Sequence, residues 1–234
     1  VTSLTGTSAE LITLIGNEGE AGNKVNLDGD FTVTISDTPT DSQLAVIDAA
    51  TTGSITYDSG AVTVTETSVT ASYLNTLDGN TSGTVNASAV TTITGTVAAV
   101  NTAYASSGIS GLGNEAVTIS DTTIAVAVLD TLNDNTTGTI NAATVATITG
   151  AAATINTQYA GGVSNLGNEA ITLSDTTLAA SVLNTLNGNT SGTVNAASVT
   201  TLTGTAAAAN TAFDTAGVSN LGNEAVTISD TSLA

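Results

Sequence analysis

The acidic side chains near the start of the chain are the residues whose type and spacing come closest to chemistry. One Gly- and Asn-rich stretch gathers six of them: Glu18, Glu20, Asp28, Asp30, Asp37 and Asp41. Calcium requires hard oxygen ligands on flexible backbone, although the local sequence NLDGDFTV has neither EF-hand spacing nor a glycine-rich calcium repeat. The sequence therefore indicates calcium as a candidate cofactor, with Asp28, Asp30, Asp37 and Asp41 as the metal ligands.

Composition limits other catalytic chemistry. The chain has no His or Cys, a single basic residue, Lys24, and twenty acidic residues, so its formal charge is −19. Without imidazole or thiolate there is no hydrolase triad, no common zinc site and no disulfide. No pair of carboxylates stands out from the solvated background as a glycosidase pair would. We therefore predict that the protein is not an enzyme.

The same charge limits the choice of partners. A polyanion cannot neutralise phosphates and is repelled by anionic lipid, so we expect neither nucleic acid nor a membrane surface as a partner. No apolar run approaches the roughly 18 residues typical of a membrane span, so we expect no membrane insertion. An acidic, Cys-free chain suits a secreted bacterial protein exported without disulfide chemistry.

A short motif recurs nine times and defines the organisation of the chain. In each copy an aliphatic anchor precedes a hydroxyl residue and then Gly, Asp or Glu; the anchors are Leu4, Ile35, Val64, Ile93, Ile119, Ile148, Leu173, Leu202 and Ile228. Their spacing of about 25 to 31 residues predicts a solenoid built from coils of about 27 residues. The aliphatic anchors should point into its core.

Two kinds of half-repeat alternate, as in AVTISDTTIAVAVLDTLNDNTTG and TINAATVATITGAAATINTQYAGGVSNL. Each opens with alternating apolar and hydroxyl residues, which is typical of a strand with one buried face. A Leu- or Ala-rich segment with helical spacing follows. The sequence predicts an α/β solenoid with a continuous parallel sheet, similar to leucine-rich repeats, and an all-β solenoid is the alternative.

Acidic residues also occupy fixed places in the repeat. Asp37, Asp121, Asp175 and Asp230 follow the first kind of strand, and we expect each to cap the helix that comes next. Gly-Asn-Glu corners at 113–115, 167–169 and 222–224 recur once per repeat. A motif that recurs in every repeat is typical of residues that form a turn. We therefore expect these corners to be structural and to face outward.

Residues 1–234 are interpreted as a single repeat array. Its coils are more diverged over 1–112, and over 113–234 they follow regular units of about 55 residues. Neither end has a polar capping repeat, so we expect either further repeats of the same chain or other copies of the protein to stack on it.

Threonines flank the anchors, with Thr34, Thr118 and Thr147 as examples. On a strand these side chains point away from the anchor, so stacked coils should carry two rows of hydroxyls. Such rows resemble the Thr-x-Thr rows of β-solenoid ice-binding proteins, which implies a binding face for ice, or alternatively for polysaccharide. The structural interpretation is that Thr fits an exposed pleat and bonds its neighbours across strands.

A resemblance to known repeat sequences covers about residue 30 to the end of the chain. The segments that carry it are GVSNLGNEAITLSDT and GVSNLGNEAVTISDT, with LDGNTSGTVNASAVTTITG before them. They look like the Thr/Ala/Asp-rich repeats of giant cell-surface and secreted proteins of marine cyanobacteria and related bacteria, often exported by a type I route. The resemblance implies an extracellular structural or adhesive role at the cell surface, as a fibre, sheath, filament or adhesin stalk.

Overall fold

A computed structural model describes residues 1–17, 27–58 and 60–232 of the chain. The chain divides into two compact units. Unit 1 comprises Val1–Gly95 and Ala99–Glu115, and unit 2 comprises Thr96–Ala98 and Ala116–Ala234.

Short strands alternate with short helices in both units. The strands are β1 Ser3–Gly6, β2 Thr32–Ile35, β3 Ile55–Tyr57, β4 Val62–Thr63, β5 Ser68–Thr70, β6 Val85–Asn86, β7 Thr92–Gly95, β8 Ile109–Ser110, β9 Ala116–Ile119, β10 Thr123–Ala125, β11 Ile140–Asn141, β12 Thr147–Gly150, β13 Val163–Ser164, β14 Ala170–Leu173, β15 Thr177–Ala179, β16 Val194–Asn195, β17 Thr201–Gly204, β18 Val218–Ser219 and β19 Ala225–Ile228. The helices are α1 Ser8–Gly16, α2 Asp41–Ala50, α3 Ala71–Asn80, α4 Val97–Ala105, α5 Val126–Asn135, α6 Ala152–Ala160, α7 Ala180–Asn189 and α8 Ala206–Asp214.

Every strand pair recorded within the two units is parallel. Unit 1 holds the ladders β1-β2-β3, β4-β6-β8 and β5-β7. Unit 2 holds β9-β11-β13, β10-β12-β14-β16-β18 and β15-β17-β19. The predicted fold class, an α/β parallel-sheet solenoid, is confirmed. Since the Leu- and Ala-rich segments are helices, the all-β alternative is wrong.

The coil is shorter than the spacing of the anchors. Ile148 pairs with Ile124 on one side and with Ile171 on the other. The other strand pairs join positions at similar separations, except that β1 pairs with β2 across a longer connection. The predicted coil length is therefore too long for these pairs.

The physical reason is that one sequence repeat is not a whole number of coils. The repeat that starts at β9 contains seven elements, β9, β10, α5, β11, β12, α6 and β13, before β14 begins the next. Pairing joins β10 to β12, so a coil takes three elements. The strands of one repeat therefore pair in different ladders. As a result, several sheets form in place of the single continuous sheet that the sequence predicts.

The core consists of aliphatic side chains that point inward from the strands and helices. Eight of the nine anchors are buried, as predicted, whereas Ile228 in β19 is 38% exposed. Leu129, Leu132, Leu183 and Leu186 bury one face of α5 and α7 against the strands. Each fully buried aliphatic side chain contributes about 1.5–3 kcal/mol to stability.

Candidate functional site

The predicted calcium ligands lie on separate elements and have different partners. Asp37 accepts hydrogen bonds from the backbone N–H and the hydroxyl of Ser8, at 2.7 and 3.0 Å. Asp41 likewise accepts from the N–H and the hydroxyl of Thr70, at 2.8 and 3.1 Å. Asp28 and Asp30 are exposed just before β2.

Asp37 and Asp41 therefore serve different helix starts. Within 1–17, 27–58 and 60–232, no three acidic groups come together as a metal site would require. Glu18 and Glu20 lie outside the described residues, so the calcium hypothesis stays a prediction.

The repeated aspartates cap helices across coils. The carboxylate of Asp121 accepts from the N–H of Val97 at 2.8 Å, at the start of α4. Asp175 does the same for α6, and Asp230 for α8. The prediction that these residues cap helices is confirmed, but the predicted helix was wrong. Each caps the helix that precedes it in the chain, because stacking places that helix start beside the carboxylate.

This arrangement ties neighbouring coils together. The N-cap position of α6 is Ala151, which offers no side-chain hydrogen bond, so the carboxylate comes from the next coil. A carboxylate at a helix N-terminus satisfies an unpaired N–H and interacts favourably with the helix dipole. One side chain therefore stabilises a helix and fixes the register between two coils.

We expect Asp175→Ala to lower the free energy of unfolding by about 0.5–2 kcal/mol, the usual cost of losing a helix cap. Urea unfolding followed by circular dichroism measures the change. The matched control is Asp134→Ala, which removes an exposed carboxylate from the last turn of α5. A loss no larger than that of the control would contradict the role of Asp175.

Two of the three Gly-Asn-Glu corners face inward, contrary to expectation. Glu115 and Glu169 are both 0% exposed. One oxygen of Glu169, Oε2, accepts from the hydroxyl of Tyr159 and from the N–H of Gly167, both at 2.8 Å. Glu115 accepts from Tyr104 at 2.9 Å in the same way. Each corner is thus a buried polar pair that fixes the end of a helix to the following loop.

The third copy of this corner lacks the tyrosine hydroxyl, and its glutamate, Glu224, is half-buried. Phe213 stands where Tyr104 and Tyr159 stand in the other copies, so it has no hydroxyl to offer Glu224. The N–H of Gly222 still donates to Glu224 at 2.6 Å, as the N–H of Gly113 donates to Glu115 at 2.8 Å. The backbone bond is therefore common to the three corners, and the tyrosine bond is an addition to it.

We expect Tyr159→Phe to lower the free energy of unfolding by about 1–3 kcal/mol, because it removes a donor from a buried acceptor. Chemical denaturation measures this loss. The reciprocal variant, Phe213→Tyr, restores a hydroxyl at the third corner and should cause no loss. If both variants unfold at the wild-type midpoint, the tyrosine bond has no structural role.

Alkaline pH should also destabilise the fold. Burial raises the pKa of Tyr159, together with its hydrogen bond to Glu169, and burial raises the pKa of Tyr57 and Tyr73. A raised pKa in the folded state means that this stability is present below the unfolded value of about 10 and is lost as the pH rises above it. Urea midpoints measured from neutral to alkaline pH should therefore fall above about pH 10. A urea midpoint that does not change in that pH range would contradict this prediction.

The hydroxyl rows form on several sheets, and other residues interrupt them. Along β10-β12-β14-β16-β18 the aligned positions are Ala125, Thr149, Thr172, Asn195 and Ser219. Hydroxyls of the rows bond their neighbours across strands: the hydroxyl oxygens of Thr34 and Thr56 lie 3.3 Å apart, and the Thr149 hydroxyl donates to the carbonyl of Ile124 at 3.5 Å. These bonds match the structural interpretation of the rows. A role in binding ice or polysaccharide stays a prediction.

A cleft of about 280 Å³ lies between α2 and α3 in unit 1. Its walls carry the carboxylates of Asp41 and Asp48 and the side chains of Thr70, Ser72 and Tyr73. Both oxygens of Asp41 are already engaged by Thr70. The cleft could hold a small polar molecule, but its walls provide no imidazole, thiol or basic group.

Comparisons with models of protein families, with curated proteins and with solved structures find no match. None of the helices formed by the described residues has the length and apolar character needed to cross a bilayer.

Proposed function

We propose that this chain is a structural module of an extracellular surface fibre, sheath, filament or adhesin stalk. The observation that carries the proposal is the way each coil is bonded to the next, by strand pairing and by side chains as well. A parallel-sheet solenoid of this kind grows by adding coils, because each coil contacts only its neighbours. Its function would be to extend over a distance and to hold the structure together.

Polar side chains supply a second set of bonds between coils, beyond the backbone ladders. Asn165 donates to Asn141 at 2.7 Å, and Asn220 donates to Asn195 at 2.8 Å. The aspartate caps join coils at another place. Bonds that recur in successive sequence repeats support a structural role better than an active site, which would occur once.

The chemistry of the exposed edge supports further repeats as the partner. Val226 and Ile228 of β19 are 40% and 38% exposed, whereas Ile171 and Leu173, at the same places in β14, are buried. In β14 the next coil covers these side chains by pairing β16 with β14. A coil of the same kind, from this or another molecule, would bury Val226 and Ile228 in the same way.

An antibody raised against the chain tests the proposal on intact cells of the source organism. We expect immunogold electron microscopy to place the label on surface fibres or a sheath without permeabilisation. An antibody to a cytoplasmic enzyme, which should label only opened cells, is the control. Labelling that requires permeabilisation, or that shows no extended surface structure, would contradict the proposal.

A further inference from the structure

We propose that Asn80 is an acceptor for N-linked sugar. It begins the triplet Asn80-Thr81-Ser82, which has the acceptor pattern for N-glycosylation. Asn80 is the last residue of α3, and the turn after it begins the path to the next strand. The same pattern recurs at the ends of α5 and α7, where it begins at Asn135 and Asn189.

The middle residue of the triplet has a structural role. The hydroxyl of Thr81 accepts from the N–H of Gly83 at 3.1 Å, and Thr190 accepts from Gly192 at 3.0 Å. A side chain on Gly83 would overlap the carbonyl oxygen of Gly60. Local packing therefore explains the Thr and the Gly of the turn.

The first and third residues of the triplet are not explained in this way. Asn80 is half-buried and Ser82 is exposed. Within the part of the chain that the structure describes, neither the Asn80 amide nor the Ser82 hydroxyl has a hydrogen-bond partner. Both groups that sugar transfer requires are thus at the surface without an internal role.

The equivalent asparagine at the end of α7 is used inside the fold. Nδ2 of Asn189 donates to Oδ1 of Asn156 in α6, at 2.8 Å. The helix before α3 is α2, and its sequence DSQLAVIDAA contains no asparagine that could accept from Asn80 in the same way. Asn135, at the end of α5, also has an interaction within the fold. The proposal is therefore confined to Asn80.

The end of α2 offers a second internal comparison. The turn there is Ala50-Thr51-Thr52-Gly53, and the Thr51 hydroxyl accepts from the N–H of Gly53 at 2.9 Å. The helix ends at Ala50 without an asparagine. The Thr52 hydroxyl donates to the carbonyl of Gly29 at 3.2 Å. The same turn thus forms without asparagine, and its third residue is used internally.

Another triplet, Asn86-Ala87-Ser88, belongs to a different structure. The side-chain oxygen of Asn86 accepts from the N–H of Ser88 at 3.1 Å. Asn141 makes the same turn where Ala143 follows in place of a serine. The pattern at Asn86 is therefore explained by turn chemistry, and we do not include this residue.

The reaction requires a sugar activated at C1 by a phosphate ester. The bond between C1 and the phosphate oxygen breaks, a bond between C1 and Nδ2 of Asn80 forms, and the amide proton leaves with the phosphate. The donor is either a nucleotide-linked monosaccharide or a lipid-linked oligosaccharide. The mass of the attached group distinguishes the two sources.

The test is mass spectrometry of the native protein isolated from its own cells. Because Lys24 is the sole basic residue, a protease that cleaves at Asp and Glu releases the peptides. We expect a sugar at Asn80, assigned by fragmentation that leaves the sugar attached, and none on the peptide that contains Ala50. An unmodified Asn80, or a sugar that resides on Ser82 or Asn86 instead, would overturn the proposal.

Variants made in the same cells provide the second test. Asn80→Gln and Ser82→Ala should each abolish the modification, whereas Ser82→Thr should preserve it. Ala50 shows that this kind of helix end forms without asparagine, so the thermal midpoints of the variants, produced unmodified in a foreign host, should match the parent. Modification that survives Asn80→Gln would place the sugar elsewhere and overturn the assignment.

Discussion

Replacing Ile148 with alanine is expected to lower the free energy of unfolding by about 2–5 kcal/mol. Ile148 is 0% exposed, and β12 lies between β10 and β14, so its side chain is covered by coils on both sides. The loss combines the removed apolar contacts with the cavity that the neighbouring coils cannot close. Denaturant unfolding monitored by circular dichroism measures the change.

The control for this variant is Val128→Ala on α5. Val128 is 41% exposed, so its truncation should change stability by no more than about 0.5 kcal/mol. Equal effects of the two substitutions would mean that the strand side chains do not form the core described above.

Gly192→Ala and Gly188→Ala are expected to act in opposite directions. A methyl group on Gly192 would overlap the carbonyl of Glu169 in the preceding coil, whereas Gly188, inside α7, has no neighbour within 4 Å of the added carbon. We expect Gly192→Ala to lower the free energy of unfolding by about 1–3 kcal/mol or more, because the backbone beside the added methyl group must move. Gly188→Ala should stabilise by up to about 1 kcal/mol, since alanine is the better helix former.

Thermal midpoints of the two proteins measure these effects under identical conditions. The comparison tests coil-to-coil packing, because the two glycines are close in sequence and differ in what lies beside them. A tolerated Gly192→Ala would show that adjacent coils do not approach as closely as the structure places them.

The sequence predicts well those features that depend on neighbouring residues. The inward anchors, such as Ile35 and Ile93, follow from alternation of apolar and hydroxyl residues along a strand. The helices follow from Leu and Ala spacing. These signals are local, because strand and helix periodicity are properties of a few consecutive residues.

Features that depend on how the coils stack cannot be predicted from a few consecutive residues. The spacing of the anchors corresponds to half of a sequence repeat. The length of a coil depends instead on the fold, in which each coil takes three elements although a repeat contains seven. Asp121 has the sequence context of a cap for the helix after it, yet its partner is Val97 in the preceding coil. Nothing in the residues around Asp121 identifies that partner.

The pair Asp130 and Gln158 shows a signal that comparison of the repeats could have revealed. In a neighbouring copy, Asn184 donates to the carbonyl of Ala208 at 2.9 Å. Asp130 stands at the place of Asn184 and cannot donate, and Gln158 stands at the place of Ala212 and donates to Asp130 at 2.6 Å. The two differences compensate each other, so together they indicate that the two helices touch.

The same limit applies to the Glu169 corner. A glutamate in a Gly-Asn-Glu turn has the sequence context of a solvated residue, and only the fold shows that Tyr159 covers it. The recurrence of Tyr ten or eleven positions before Glu in two copies, and of Phe in the third, was the available signal.

Electron cryomicroscopy of the native surface material tests the central claim most directly. If the chain is a structural solenoid, the material should contain a fibre whose density repeats at about 4.8 Å per coil along its axis, the spacing of adjacent strands. Three elements should make up each coil. Discrete particles without that axial repeat, or fibres whose strands run along the axis, would contradict the account.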